Sequence, residues 1–156
     1  MLTQRASYTD CSEMKETYIT HSPEETEALG ASVASGHGCT FTALYGDLGA
    51  GKTVFVRGMV SVLSPGAKNL VHSPTYAIVN EYGDAGQRVY HFDMYRIKDE
   101  DELYATGFYE FADSGTVICE WSENIGFAIP DDALRVRIER LDDTTRKITV
   151  TDEREP

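Results

Sequence analysis

Residues 45–53 read YGDLGAGKT, and Gly46, Gly51, Lys52 and Thr53 fall on the spacing G-x-x-x-x-G-K-[ST]. That spacing suits phosphate chemistry for a physical reason. Backbone N–H groups of a glycine-rich turn can wrap a phosphate, and the first turn of a following helix adds unpaired donors and the positive end of its dipole. Leu48, Gly49, Ala50 and Gly51 are then the cradle, and Lys52 supplies charge to the β- and γ-phosphates. The Thr53 hydroxyl is placed to coordinate the magnesium that bridges those phosphates.

Such a site also needs a carboxylate, ordinarily at the end of a neighbouring strand. Two candidates end apolar runs: Glu120 after Val117, Ile118 and Cys119, and Asp93 after residues 88–92. Glu120 is assigned to the metal and Asp93 to positioning or activating water, with the exchange of roles left open. Further residues carry two readings each. In Ser73-Pro74-Thr75-Tyr76, Thr75 can sense a γ-phosphate or its magnesium, or belong to a plain proline turn. His91 can bond within the site or serve the fold. Trp121 can pack in the core or form a contact surface.

Elements must hold these residues in place. Residues 39–45 are rich in β-branched and aromatic types and bounded by glycines, which predicts a buried strand. Phe55, Met59, Val62 and Leu63 recur at helical spacing after the turn, which predicts a helix running to Ser64. The phosphate turn thus lies between strand and helix. Upstream, Ser22-Pro23-Glu24-Glu25 predicts a capped helix start, Thr26, Leu29 and Val33 share one face, and Gly36 is the expected stop. Downstream, residues 76–82 and 88–93 predict two strands joined through residues 83–86. Residues 100–106 predict a short helix ended by Gly107. Residues 117–119 predict a strand, and residues 133–140 and 147–151 a closing pair. The fold class is α/β, a three-layer sandwich whose parallel core strands carry antiparallel additions. Residues 1–17 have no period and read as a flexible extension before a single domain over 18–156.

Bulk properties narrow the function. The 156 residues carry a net charge of −12, with 26 acids against 14 bases. Non-specific nucleic-acid binding needs several Lys and Arg against phosphates, and this chain is poorly equipped for it. The stripe RVRIER at residues 135–140 alternates, and it reads as a solvated strand face rather than an RNA site. Three separated cysteines and four histidines offer no zinc spacing. No apolar run nears the roughly 20 residues of a membrane span, and no secretory leader is evident, so the expected compartment is the cytoplasm. The guanine signature N-K-x-D is absent, which favours ATP. Small-metabolite kinases, the alternative, ordinarily place the phosphate turn at the chain start and close an arginine-rich lid; neither feature is present.

Four ordered motifs, LYGDLGAGKT with FVRG, SPTY, YHFDMYR and ICEWSE, make residues 19–130 resemble the TsaE family of bacterial ATPases. That family serves tRNA threonylcarbamoyladenosine synthesis. The resemblance implies a P-loop fold with helices on both faces of the sheet, ATP and Mg2+ as cofactors, and slow hydrolysis. It implies action beside the TsaD/TsaB pair, which modifies the adenosine next to the anticodon, with tRNA met only through those partners. It carries residues 48–53 as the phosphate cradle, Thr53 and Glu120 as magnesium contacts, and Asp93 as needed for hydrolysis. It also sets the segment near His21 against the adenine. A nucleotide-dependent binding switch is a further reading of the same residues.

Overall fold

In the computed structural model, residues 14–84 and 86–153 are described. Among these residues thirteen elements follow one another, and seven of them are strands. They are β1 (Met14–Thr20), β2 (Phe41–Tyr45), β3 (Val79–Tyr82), β4 (Val89–Asp93), β5 (Thr116–Glu120), β6 (Leu134–Arg140) and β7 (Arg146–Asp152). They form one sheet in the order β1-β7-β6-β2-β5-β4-β3. The four central strands, β6, β2, β5 and β4, run parallel. Antiparallel partners complete both edges, β7 and β1 on one side and β3 on the other.

Helices α1 (Pro23–His37) and α2 (Lys52–Leu63) cover one face. Leu29, Val33, Phe55, Val56 and Met59 meet Leu44, Ile118, Val136 and Ile148 there in a closed apolar layer. Each such side chain contributes about 1.5–3 kcal/mol on leaving water. The two helices cross with their backbones nearly touching. A Cβ on Gly58 would stand 1.9 Å from the Glu27 carbonyl oxygen, and one on Gly30 would stand 2.2 Å from that of Phe55. On the other face lie α3 (Glu100–Ala105), α4 (Phe108–Ser114) and a 3-10 segment (Ser122–Ala128). They seat Leu103, Phe108 and Ile125 on Phe41, Phe92, Val117 and Cys119. Burial pushes the Cys119 thiol up to about 12, so it stays protonated and inert.

That second layer stops short. Over β6, β7 and β1 an open trough is lined by Lys15, Arg135, Arg137, Glu139, Lys147 and Glu153 with threonines between them. Leu134, Val136 and Ile138 are fully buried on the opposite side, as the alternation of the RVRIER stripe predicts. Glu139 faces Lys147 across the ladder, so the open face neutralises itself in part.

Several boundaries differ from expectation. Residues 14–17 belong to β1 instead of a flexible extension, because pairing with β7 gives their backbone groups partners. Residues 1–13, including Cys11, lie outside the described residues. Ser22 caps α1 as predicted, its hydroxyl accepting from Glu25 N at 3.1 Å. The Glu25 carboxylate, however, accepts from His21 N, and the helix passes Gly36 to end at left-handed Gly38. Val62 points to solvent, while Val56 and Val60 complete the buried stripe. Residues 76–78 form a turn and not the start of a strand, and Ile78 takes a positive φ of 71°. Helix α4 was not legible as an element, since its aromatic run suits strand and helix alike.

Candidate nucleotide site

The parallel strands deliver their carboxyl ends to one place. Tyr45 ends β2 and leads into the glycine turn, and Glu120 and Asp93, register partners, end the neighbouring β5 and β4. Open α/β sheets bind ligands at this edge because the strand-to-helix turns converge there. A cavity of about 480 Å³ lies between them. It is lined by residues 48–54 of the turn and first helical residues, and by Ser73, Thr75, Asp93, Tyr95, Glu120, Trp121 and Arg146.

The turn is shaped by what surrounds it. Gly46 has φ 147°, and a Cβ there would lie 2.4 Å from the Ile138 carbonyl oxygen, so β6 leaves room for glycine alone. Its N–H donates to Glu123 Oε2 at 3.2 Å. From the far edge, Arg146 Nε donates to the Ala50 carbonyl at 2.9 Å. Gly51 begins α2 without a side-chain cap, which keeps the first-turn donors available to an anion.

Lys52 is 5% exposed. Its ammonium donates to the Gly46 carbonyl and to that of Asp47 at 2.9 Å, and it sits 4.1 Å from the centroid of the Trp121 ring. Burial holds its pKa below the usual lysine range, opposed by the charges of Glu120, Glu123, Asp93 and Asp47. A buried cation facing carboxylates is an arrangement that a polyphosphate with its metal completes.

Thr53 Oγ1 donates to Glu120 Oε1 at 3.1 Å. The hydroxyl has one proton, so this bond leaves its lone pairs available to a cation. Glu120 Oε2 meets His91 Nε2 at 2.5 Å. Asp93 is held at three points: Oδ2 accepts from Ser73 Oγ at 2.9 Å and Thr75 Oγ1 at 3.1 Å, and Oδ1 accepts from Tyr95 N at 2.8 Å. Among the described residues no group of three or more His, Cys, Asp and Glu could hold a metal. A hydroxyl with one or two carboxylates is instead the hard, sparse oxygen set that suits Mg2+ shared with phosphates.

The structure therefore brings together Leu48, Gly49, Ala50, Gly51, Lys52, Thr53, Thr75, Asp93, Glu120 and Trp121. His91 is fully buried one layer behind, and Trp121 takes a positive φ of 58° at the rim. Tyr76 is 85% exposed, with the Arg96 guanidinium 4.4 Å from its ring centroid. His21 is exposed and lines neither this cavity nor the small one of about 60 Å³ beside it. Its neighbours Ser22, Pro23 and Thr26 do line that second recess, with Gly51, Val54 and Arg146. Reasoning from sequence missed Ser73, Glu123 and Arg146. Ser73 and Glu123 lie inside the SPTY and ICEWSE motifs, whereas Arg146 had no local signal.

Fold and site together define a P-loop nucleotide-binding protein: a glycine turn between a central parallel strand and a helix, a buried lysine, and a threonine bonded to a strand-end carboxylate. The family described as threonylcarbamoyl adenosine biosynthesis protein TsaE matches residues 20–148, and the chain belongs to that family. It is similar to the tRNA threonylcarbamoyladenosine biosynthesis protein TsaE of Bacillus subtilis, 40% identical over 134 residues that cover 85% of this chain and 82% of that one. Its counterpart from Aquifex aeolicus is 34% identical over 139 residues, 88% of this chain and 97% of that one. The crystal structure of Bacillus subtilis YdiB superposes with a TM-score of 0.68 at 30% identity, covering 95% of this chain and 90% of that chain. Among the described residues no helix is long and apolar enough to cross a membrane.

Proposed function

We propose that this chain binds ATP with Mg2+ and hydrolyses it slowly in support of threonylcarbamoyl modification of the adenosine next to the anticodon in tRNAs reading codons that begin with A. The observation that carries this reading is the convergence of Lys52, Thr53, Asp93 and Glu120 on one cavity at the strand ends. Residues 48–51 cradle the phosphates, and Lys52 moves its charge from the turn carbonyls to the β- and γ-oxygens. Thr53 and Glu120 hold the metal, which when bound neutralises charge that develops on the phosphates. Asp93, fixed by Ser73, Thr75 and Tyr95, orients the attacking water. The rate enhancement of such a reaction comes chiefly from placement and charge rather than from covalent catalysis. TsaD and TsaB are the proposed partners, with tRNA met through them, and the cytoplasm is the proposed compartment.

A second reading is favoured by the 72–78 segment, where two hydroxyls bond Asp93 and Ile78 is strained. Here ATP shapes the docking surface, exposed Tyr76 included, and hydrolysis resets it.

The test is phosphate release from Mg-ATP by the chain alone and with TsaD and TsaB, with Lys52→Ala as control. Slow release that rises with the pair and falls at least a hundredfold in Lys52→Ala is expected. Unchanged turnover in that variant overturns the proposal. If a non-hydrolysable analogue supports one round of modification but not many, hydrolysis only resets the switch.

A further inference from the structure

Behind the site a file of polar groups leads from β3 through β4 to Glu120. Tyr82, 5% exposed on β3, has its hydroxyl 3.2 Å from His91 Nδ1, and His91, fully buried on β4, meets Glu120 on β5. The Tyr82 oxygen accepts from Asn80 Nδ2 at 3.4 Å, and the same amide donates to the His72 carbonyl at 3.1 Å. Tyr82 has one proton, and His91 Nδ1 is the acceptor present for it. That assignment leaves the imidazole proton on Nε2, directed at Glu120 Oε2. The Thr53 hydroxyl lies 3.1 Å from Oε1 and 3.3 Å from Oε2, so Thr53 and His91 between them hold both carboxylate oxygens.

We infer that His91 and Tyr82 are positioning residues: Tyr82 sets the imidazole tautomer, and His91 Nε2–H holds the Glu120 carboxylate against Thr53 for the metal. The inference rests on the reading of Glu120 as the magnesium carboxylate. Its physical content is that a carboxylate with two free torsions near its head must be fixed before a small cation can count on it. The file begins at His72, one residue before the Ser73 that holds Asp93, so the metal carboxylate and the water-orienting carboxylate share one support. His91 lines no part of the cavity, so it acts only through Glu120.

The test measures the affinity of the purified chain for a fluorescent ATP analogue across a magnesium titration, and separately records imidazole nitrogen spectra of the nucleotide-free protein. His91→Phe is expected to raise the half-saturating magnesium at least tenfold while leaving the magnesium-free affinity within about twofold. His91→Gln, whose amide can still donate, is expected to recover most of that loss. Tyr82→Phe should raise it about threefold and shift the tautomer from the Nε2–H form expected in the parent. Should His91→Phe fail to fold, His91→Gln and Tyr82→Phe carry the test. Glu120→Gln separates the two levels of the argument. If it raises the magnesium requirement while the His91 and Tyr82 variants match the parent, the positioning role is overturned and the metal reading stands. If Glu120→Gln leaves the requirement unchanged, both fall. An Nδ1–H imidazole in the parent overturns the role of Tyr82 regardless of metal.

Discussion

Asp93 and Glu120 are neighbours by register yet differ in what holds them. Glu120 receives Thr53 and His91, and Asp93 receives two hydroxyls and a backbone N–H. The first set includes the Thr53 hydroxyl proposed to bind the cation, and the two hydroxyls of the second belong to a segment built around a proline turn. We therefore expect Asp93→Asn to bind Mg-ATP within about threefold of the parent and to lose at least tenfold in phosphate release, as equilibrium titration beside a single-turnover assay would show. Equal losses in binding and turnover would instead mark Asp93 as a metal contact. Both carboxylates were legible from the chain because each ends an apolar run. Which donors surround each was not, because Ser73, Thr75 and His91 reach them from other strands and loops.

Two elements decide how firmly the phosphate turn is held. The α1–α2 crossing works only with glycine at its contact points, and Gly58→Ala forces a Cβ to within 1.9 Å of a backbone oxygen. That clash is expected to cost about 3 kcal/mol or more and to lower Tm by about 6–12 °C in a chain of this size, as calorimetry would show. The β6–β7 hairpin carries the second support. Asp142 Oδ1 accepts from Thr144 N at 2.9 Å and Thr145 N at 2.7 Å, and the Asp142 carbonyl accepts from Arg146, the residue that reaches Ala50. These bonds, Thr144 N first, hold the Asp142 carboxyl below its ordinary value of 3.8. A depressed folded-state pKa means a contribution that is complete above 3.8 and disappears as pH falls through the folded value. Asp142→Ala should accordingly be less stable than the parent at pH 7, and the gap in urea midpoint should close as pH drops below 3.8. A gap that persists at the lowest pH would mean that the carboxylate is not its source. The periodicity of residues 23–37 and 52–63 announced both helices. Their separation was beyond periodicity, since nothing local says that Gly30 and Gly58 face one another.

For the whole molecule, charge and coverage set the partners. A chain of net charge −12 whose basic strand face is interrupted by Glu139 and Glu153 has little means of gripping a phosphate backbone. Filter binding at about 150 mM salt is expected to show no retention of tRNA by the chain alone, and retention only once the proposed pair is present. Micromolar retention by the chain alone, declining steeply with salt, would contradict this. By itself the sequence determined what adjacent residues can settle. The glycine turn, its lysine and threonine, the strand before it and the helix after it are all encoded within about twenty-five consecutive positions, because backbone donors, period and capping act over a few residues. Tertiary structure alone decided the rest. It paired residues 14–20 with the last strand, brought Arg146 onto Ala50, and turned His91 from a strand-end residue into the support behind Glu120. Those contacts join positions far apart in the chain, and their partners follow from strand order and register, which no local pattern specifies.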